Sequence, residues 1–385
     1  MNSGMLLRRG IATDWRIQYG LLAGFLRSIR LREAAADCLA RTQDSPGVLP
    51  AAVYASCAEV YSAETPPSGR VAPHGECSTH SNRGENTREH SVLTLAIAFC
   101  TDRMMEAPLH AAVSSLLTHG SIEIDFYFML NGFDEKRRDL LRKSMDMSGK
   151  PYRATFVDEP SSQELLSLRP FHGNRTPYYR LFLPELIPAD RLLYLDSDVV
   201  SAMDVAPLAT LAMSHASGFV AAGVTDHYIE RELFARIGLP PDTPAFNSGV
   251  MLFDLAAWRA QNLGRETLDF CRKYQEYDQT GLIAVSAGCF DRMDPKYNIP
   301  LYTSTELAYA REYPGLYHFV GSPKPWDIGG RQFHSCFSIY AEALEWTVWR
   351  RHTTAYMSIA NWKRAYKVKG GYARKLLALA RKRFS

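Results

Sequence analysis

Arg191-Leu192-Leu193-Tyr194-Leu195-Asp196-Ser197-Asp198-Val199-Val200 drives an apolar run straight into two carboxylates one residue apart. Leu192 to Leu195 reads as a buried central strand, and ionised side chains cannot stay unpaired inside a sheet that helices cover on both faces. The acids must emerge at its carboxyl end. Open α/β sheets bind ligands at that edge, and two hard oxygen donors there suit a divalent cation carrying phosphate. The bland alternative is a pair of turn or capping aspartates, since Asp-x-Asp arises about once by chance in a chain of this length.

Working outward, strands and helices alternate. Val92 to Phe99 suits a buried parallel strand, Ala107 to Leu117 an apolar helix stopped at His119-Gly120, and Ile122 to Leu130 a second strand. Asp134 is placed to cap a charged helix through Met145, and Ala154 to Val157 makes a short third strand. After Pro177 a helical stretch reaches Leu186 and leads into the strand carrying Asp196; Phe219 to Val224 and Gly249 to Phe253 follow as further strands. The alternation predicts an α/β fold with a mostly parallel, doubly wound central sheet and right-handed crossovers.

The chain has 385 residues, 46% hydrophobic and 22% charged, with a formal net charge of +3. This is the balance of a soluble globular protein with no general affinity for nucleic acid. Seven scattered cysteines form no Cys-x-x-Cys pair, which argues against structural zinc and a disulfide framework and fits a reducing cytoplasm. No stretch reaches the roughly 18 consecutive apolar residues of a membrane span. Ile17 to Leu26 is flanked by Arg16, Arg27 and Arg30 with no convincing cleavage site, so no secretory signal is expected.

Residues 1–90 read as an N-terminal extension, partly disordered: a helix over about Trp15 to Arg41, then a linker over Glu64 to His90 too poor in large apolar residues to offset the entropy of ordering. Residues 91–345 read as the α/β domain and 346–385 as a basic, aromatic helical tail. Arg350 to Ser385 hold eleven Lys or Arg and no Asp or Glu, and residues 346–385 interleave Trp346, Trp349, Tyr356, Trp362, Tyr366, Tyr372 and Phe384 with the basic side chains. A surface helix on anionic lipid fits that pattern, as does a solvated helix whose aromatics pack on the α/β domain.

A cation between two aspartates needs further ligands. The best candidate is His318-Phe-Val-Gly321-Ser-Pro-Lys324-Pro-Trp326. Gly321 permits close backbone approach, Lys324 offers a compact positive charge suited to phosphate, and Pro323 and Pro325 stiffen the loop. The segment has the makings of a diphosphate clamp.

Together, Leu-Tyr-Leu-Asp196-Ser-Asp198 and His318-x-x-Gly321-x-x-Lys324-Pro-Trp326 resemble the signature of glycosyltransferase family 8, retaining enzymes that include bacterial lipopolysaccharide galactosyl- and glucosyltransferases and glycogenin. The likeness runs from about Val92 to Trp326 and implies a Rossmann-like, A-type glycosyltransferase domain. It implies that Asp196, Asp198 and His318 ligate Mn²⁺ or Mg²⁺, and that Lys324 and the Gly321 backbone contact the diphosphate of a UDP-sugar donor. Phe99-Cys100-Thr101-Asp102 matches the family's uracil-binding turn, so Asp102 is expected to accept the N–H of the base; a helix or turn cap is its plain alternative. Met104 and Met105 stand where relatives often stack an aromatic ring on the base.

Thr176-Pro177-Tyr178-Tyr179-Arg180 resembles the helix whose arginine touches the donor sugar and diphosphate, which assigns that role to Arg180. Phe246-Asn247-Ser248-Gly249 matches the turn whose asparagine hydrogen-bonds the sugar. Tyr277-Asp278-Gln279 resembles the segment lining the reacting sugar, with Asp278 on the hydroxyls and Gln279 beneath the anomeric carbon. Glutamine is a poor nucleophile, which favours front-face transfer over a covalent glycosyl-enzyme.

The expected activity is transfer of galactose or glucose from a UDP-sugar to a glycan or lipid-linked oligosaccharide acceptor, in lipopolysaccharide or surface-polysaccharide synthesis. Acceptor contacts are expected in the loops Asp226 to Thr243 and after Pro300. A sugar nucleotidyltransferase would carry an early Gly-rich loop and lysine, and neither is present. A non-catalytic nucleotide- or glycan-binding module would be expected to lose a metal ligand or the lysine, and all are kept. The expected location is cytoplasmic, peripheral on the inner membrane through the tail, with no nucleic-acid partner.

Overall fold

The computed structural model describes residues 93–171, 173–213, 219–222, 231–237, 239–240, 243–287 and 290–350, together with Lys363, Tyr366, Tyr372 and Ala373 of the tail. The extension over 1–90, with its expected helix and linker, lies outside the described residues, as do most of the basic tail and residues 226–230, 238, 241 and 242 of the expected acceptor loop, whose middle is a helix, Arg231–Ile237.

A seven-stranded sheet in the order β3-β2-β1-β4-β7-β6-β8 forms the centre. Its strands are β1 (Thr94–Asp102), β2 (Glu123–Asn131), β3 (Tyr152–Phe156), β4 (Arg191–Leu195), β6 (Phe219–Ala222), β7 (Val250–Asp254) and β8 (Asp291–Met293). The pairs β3-β2, β2-β1, β1-β4 and β6-β8 are parallel, and β7 runs antiparallel to both neighbours. The sheet is therefore mostly parallel, as expected. A second sheet in the order β5-β10-β9 joins β5 (Val199–Ser201), β9 (Ile299–Leu301) and β10 (Leu316–Phe319).

Strand alternation builds a core on each face of the large sheet. Leu95, Ile97 and Phe99 of β1, Phe126 and Phe128 of β2, Leu193 and Leu195 of β4 and Leu252 of β7 enter one core. Ala96, Ala98, Cys100, Leu192, Tyr194, Met251 and Phe253 enter the other. On that second face β1 presents only small side chains, and the segment Tyr178 to Leu181 fills the space they leave.

Most boundaries fall within two residues of expectation, and two larger differences bear on the site. β1 runs on to Asp102, so the expected base-binding residue ends the strand. The helix expected from Pro177 to Leu186 is broken into a 3₁₀ helix, Thr176–Leu181, and a short α-helix, Leu183–Leu186. Pro184 sits in the first turn of the latter, where its missing N–H does least harm, and it cannot continue an earlier helix.

Asp134 caps the helix Glu135–Asp146, accepting from the Arg137 N–H as its sequence position predicts. The aromatic row assigned to lipid is split. Trp346 and Tyr366 are exposed, but Tyr372 is buried, with its ring against Phe333 and its hydroxyl donating to the Ile328 carbonyl. Trp349 packs its edge on His110.

Candidate active site

Strand pairing brings remote segments together at the carboxyl ends of β1 and β4, where the sheet order switches direction. Beyond β4 the chain turns through Asp196-Ser197-Asp198 into β5. That strand pairs antiparallel with β10 in a register setting His318 opposite Val199. The Phe319 N–H donates to the Asp198 carbonyl at 3.0 Å, so the histidine is tied beside the aspartates across 120 residues of sequence. On the other side β4 pairs with β7, and the Asp196 N–H donates to the Gly249 carbonyl at 2.8 Å. Thr101 Oγ1 and Ser197 Oγ, 2.9 Å apart, link the end of β1 to the same turn.

Asp196, Asp198 and His318 each direct one ligand atom into a common space, all within 4.8 Å of one another. His318 Nε2 lies 3.1 Å from Asp198 Oδ1 and 4.0 Å from Asp196 Oδ2. Asp198 Oδ1 is buried with no aligned hydrogen bond. An orphaned carboxylate oxygen is costly, and here it faces an imidazole nitrogen and a second carboxylate. This donor set, two carboxylate oxygens and one imidazole nitrogen, fits a divalent cation such as Mn²⁺ or Mg²⁺.

The other Asp198 oxygen accepts from Lys324 Nζ at 2.8 Å. Lys324 Nζ also donates to the Phe319 carbonyl, folding the loop after β10 back on itself. Burial alone would raise the Asp198 pKa; the Lys324 ammonium and His318 outweigh it and hold the carboxyl well below the usual range. Gly321 turns this loop at φ 75°, in the left-handed region that glycine tolerates. Trp326 anchors it against the rings of Phe319 and Tyr340.

Arg180 is buried, unlike a surface arginine, and its guanidinium is committed to protein acceptors. Nη1 donates to the Ser248 carbonyl and Oγ at 2.5 and 3.0 Å, Nη2 to Asp196 Oδ1 at 3.1 Å, and Nε to the Pro177 carbonyl at 2.9 Å. Nε also lies 3.1 Å from Asp278 Oδ2, and the guanidinium covers the Tyr194 ring at 4.4 Å. The Tyr194 hydroxyl donates to the same Asp196 Oδ1 at 2.6 Å. With Oδ1 held twice, Asp196 turns Oδ2 toward His318. Asp278 begins the helix Asp278–Ser286; burial raises its pKa, opposed by Arg180. Gln279 Oε1 accepts from the Ser248 N–H at 2.9 Å.

Nine of the ten residues expected from sequence are thus connected, directly or through neighbours, to the turn Asp196–Asp198. Asn247 joins through Gly249 and Asn298, and Asp102 through Thr101. Gly321 instead shapes the loop that returns Lys324 to Asp198. Asp102 also fulfils its plain alternative: it caps the 3₁₀ turn Arg103–Met105, accepting from Met104 N at 2.8 Å, while Asn174 Nδ2 bonds its other oxygen. Sequence reasoning missed Tyr194, Ser248, Gly249 and Asn298. Tyr194 had a signal, since residues i and i+2 of a strand share a face and it precedes Asp196 by two. Asn298 had none.

A sequence profile described as Glycosyl transferase family 8 matches residues 96–328, a span that contains every one of these side chains. The chain belongs to glycosyl transferase family 8. This family 8 glycosyltransferase is 24% identical over 276 residues to General stress protein A of Bacillus subtilis (strain 168), covering 66% of this chain and 94% of that protein. It is 27% identical over 274 residues to the lipopolysaccharide 1,2-glucosyltransferase of Escherichia coli (strain K12), covering 66% of this chain and 78% of that protein. Its fold is similar to that of the galactosyltransferase LgtC, solved in complex with donor and acceptor sugar analogues, with a TM-score of 0.55 and 22% identity over 67% of this chain and 100% of that one. No helix among the described residues of the glycosyltransferase is long and apolar enough to cross a membrane.

Proposed function

We propose that this glycosyltransferase moves a hexose, galactose or glucose, from a UDP-sugar to a glycan or lipid-linked oligosaccharide acceptor with retention of configuration, in lipopolysaccharide or other surface-polysaccharide assembly. The catalytic unit is residues 91–345, held on the cytoplasmic face of the inner membrane through the basic tail, 346–385. The observation that carries the reading is the convergence of Asp196 Oδ2, the orphaned Asp198 Oδ1 and His318 Nε2 at the carboxyl end of β4. These three residues would hold Mn²⁺ or Mg²⁺, which when bound supplies Lewis-acid neutralisation of a diphosphate leaving group. The kinship with a lipopolysaccharide glucosyltransferase supports the acceptor class.

The chain's own residues divide the remaining work. Lys324 and the Gly321 backbone bind the diphosphate, and Asp102 accepts the N–H of the base. Lys324 lies ready to stabilise negative charge as it develops on the leaving group. Arg180 acts through its neighbours, orienting Asp196 and Asp278 and adding its charge to the pocket. Asp278 and Asn247 bind sugar hydroxyls, and Gln279 lies beneath the anomeric carbon. The bond from that carbon to the phosphate oxygen breaks, the acceptor oxygen forms the new bond on the same face, and the acceptor proton passes to the departing phosphate.

A panel of UDP-sugars assayed for slow, Mn²⁺-dependent release of UDP tests this reading without knowledge of the acceptor. Release from UDP-galactose or UDP-glucose is expected; absence of release from every UDP-sugar, with and without metal, would contradict it.

A further inference from the structure

We infer that Asn298 is a positioning residue of the metal site: it fixes the tautomer and the aim of His318 and couples that ligand to the Asn247 turn. The inference rests on the reading of Asp196, Asp198 and His318 as a ligand set. It concerns a residue that touches neither metal nor donor in that reading.

Asn298 closes the 3₁₀ turn Pro295–Asn298, which Asp294 caps by accepting from the Lys296 N–H at 2.9 Å. The next residue starts β9, which runs parallel to β10 with Pro300 opposite His318. The turn delivers Asn298 to the start of β9, beside β10, where its side chain meets the His318 ring. At 2% exposure it cannot turn to solvent, and its carboxamide must be satisfied within the protein.

The polarity of the network follows from a donor that admits no ambiguity. The backbone N–H of Gly249 donates to one side-chain atom of Asn247 at 3.0 Å, and that atom is therefore the carbonyl oxygen Oδ1. Asn298 meets this oxygen at 3.2 Å and the Asn247 main-chain carbonyl at 3.4 Å, so the group it presents there must be the donating Nδ2. Its Oδ1 then faces His318 Nδ1 at 3.0 Å. An oxygen acceptor requires Nδ1 to carry the proton. In the neutral ring the lone pair belongs to Nε2, the nitrogen directed at Asp198 and Asp196. A metal-ligating imidazole is generally fixed by a hydrogen bond from its other nitrogen, and loss of such a partner typically weakens metal binding about 10–100-fold. Asn298 fills that place. It also makes Asn247 part of the site's framework, since Asn247 Oδ1 is occupied by Gly249 and Asn298 and only its amide nitrogen is left to meet a sugar.

Two measurements test the assignment. The first uses the native metal-free protein: ¹⁵N shifts of the His318 ring, assigned by loss of the signal in His318→Gln and read at a pH where the ring is neutral, are expected to show a protonated Nδ1. A protonated Nε2 overturns the inference. The second follows Mn²⁺ binding by the paramagnetic resonance signal of the free ion. Asn298→Asp keeps an acceptor facing Nδ1 but loses the donor to Asn247 and is expected to bind between native and Asn298→Leu, which is of similar volume, has neither group and is expected to bind about 10–100-fold more weakly than native. Equal binding by native and Asn298→Leu, or equal weakening in both variants, overturns it; if Asn298→Leu does not fold, the tautomer and the Asp variant decide. Failure of the native protein itself to bind Mn²⁺ would instead remove the ligand-set reading on which the inference rests.

Discussion

His318 lies directly over Gly249, so closely that a β-carbon on Gly249 would stand 2.3 Å from the imidazole Cε1 and 2.8 Å from Asp196 Oδ2. The glycine is required by close approach, because its backbone lies in no left-handed conformation that would itself demand one. Two ligands reach each other only because this position has no side chain. Gly249→Ala is therefore expected to push His318 and Asp196 apart and to lower Mn²⁺-dependent UDP release by about tenfold or more, a change of about 1.4 kcal/mol in the barrier. Circular dichroism should show that the fold survives. Unchanged release would mean that the two side chains need not meet.

Asp198 is gripped by Lys324 on one oxygen and faces His318 with the other. Asp198→Ala is expected to fold and to lose about 10² or more in turnover, the usual scale for removing a group that stabilises developing charge. Stopped-point assays of UDP release at saturating donor provide the check, and robust turnover by the variant would defeat the assignment.

The pH dependence of stability should carry the mark of His110. It is buried against Ser144, 2.7 Å away, and burial pushes its pKa down to about 3. A depressed folded-state value means that the unfolded chain binds the proton more readily. The contribution is whole above the unfolded value of about 6.5 and drains away as pH falls toward 3, with a slope of up to about 1.4 kcal/mol per pH unit. The Ser144 hydroxyl also accepts from the Val348 N–H, so acid should loosen the segment around Trp349 as well. Urea midpoints between pH 7 and 4 are expected to fall less steeply in His110→Asn than in the native protein; parallel slopes would refute this.

The basic tail is expected to bring the enzyme to anionic vesicles. Deleting it would also remove Tyr372 from its packing on Phe333, so neutralisation is the cleaner variant. Replacing the lysines and arginines between Lys363 and Arg383 by glutamine should abolish co-flotation with phosphatidylserine vesicles at low salt. Flotation unaffected by that replacement would remove lipid from the account.

Much of this architecture was legible in the sequence, because it is written in local patterns. The apolar run before Asp196 and the period of β1 marked strands, and Asp134 marked a helix start. His318 was visible through its neighbours Gly321 and Lys324. Long-range pairing was not legible: nothing local says that β7 runs antiparallel between β4 and β6, yet that pairing sets Gly249 beside Asp196. Asn298 is hidden for the same reason, since its role depends on the register of β9 with β10. Arg180 was found with its role incompletely read, because a guanidinium shared among Ser248, Asp196 and Asp278 can be counted only once those segments are folded together.

The most direct test is anomalous scattering at the manganese edge from crystals grown with Mn²⁺ and UDP. A single peak is expected within bonding distance of Asp196 Oδ2, Asp198 Oδ1 and His318 Nε2. A peak that leaves out His318, or no peak there with the nucleotide bound, would contradict the account.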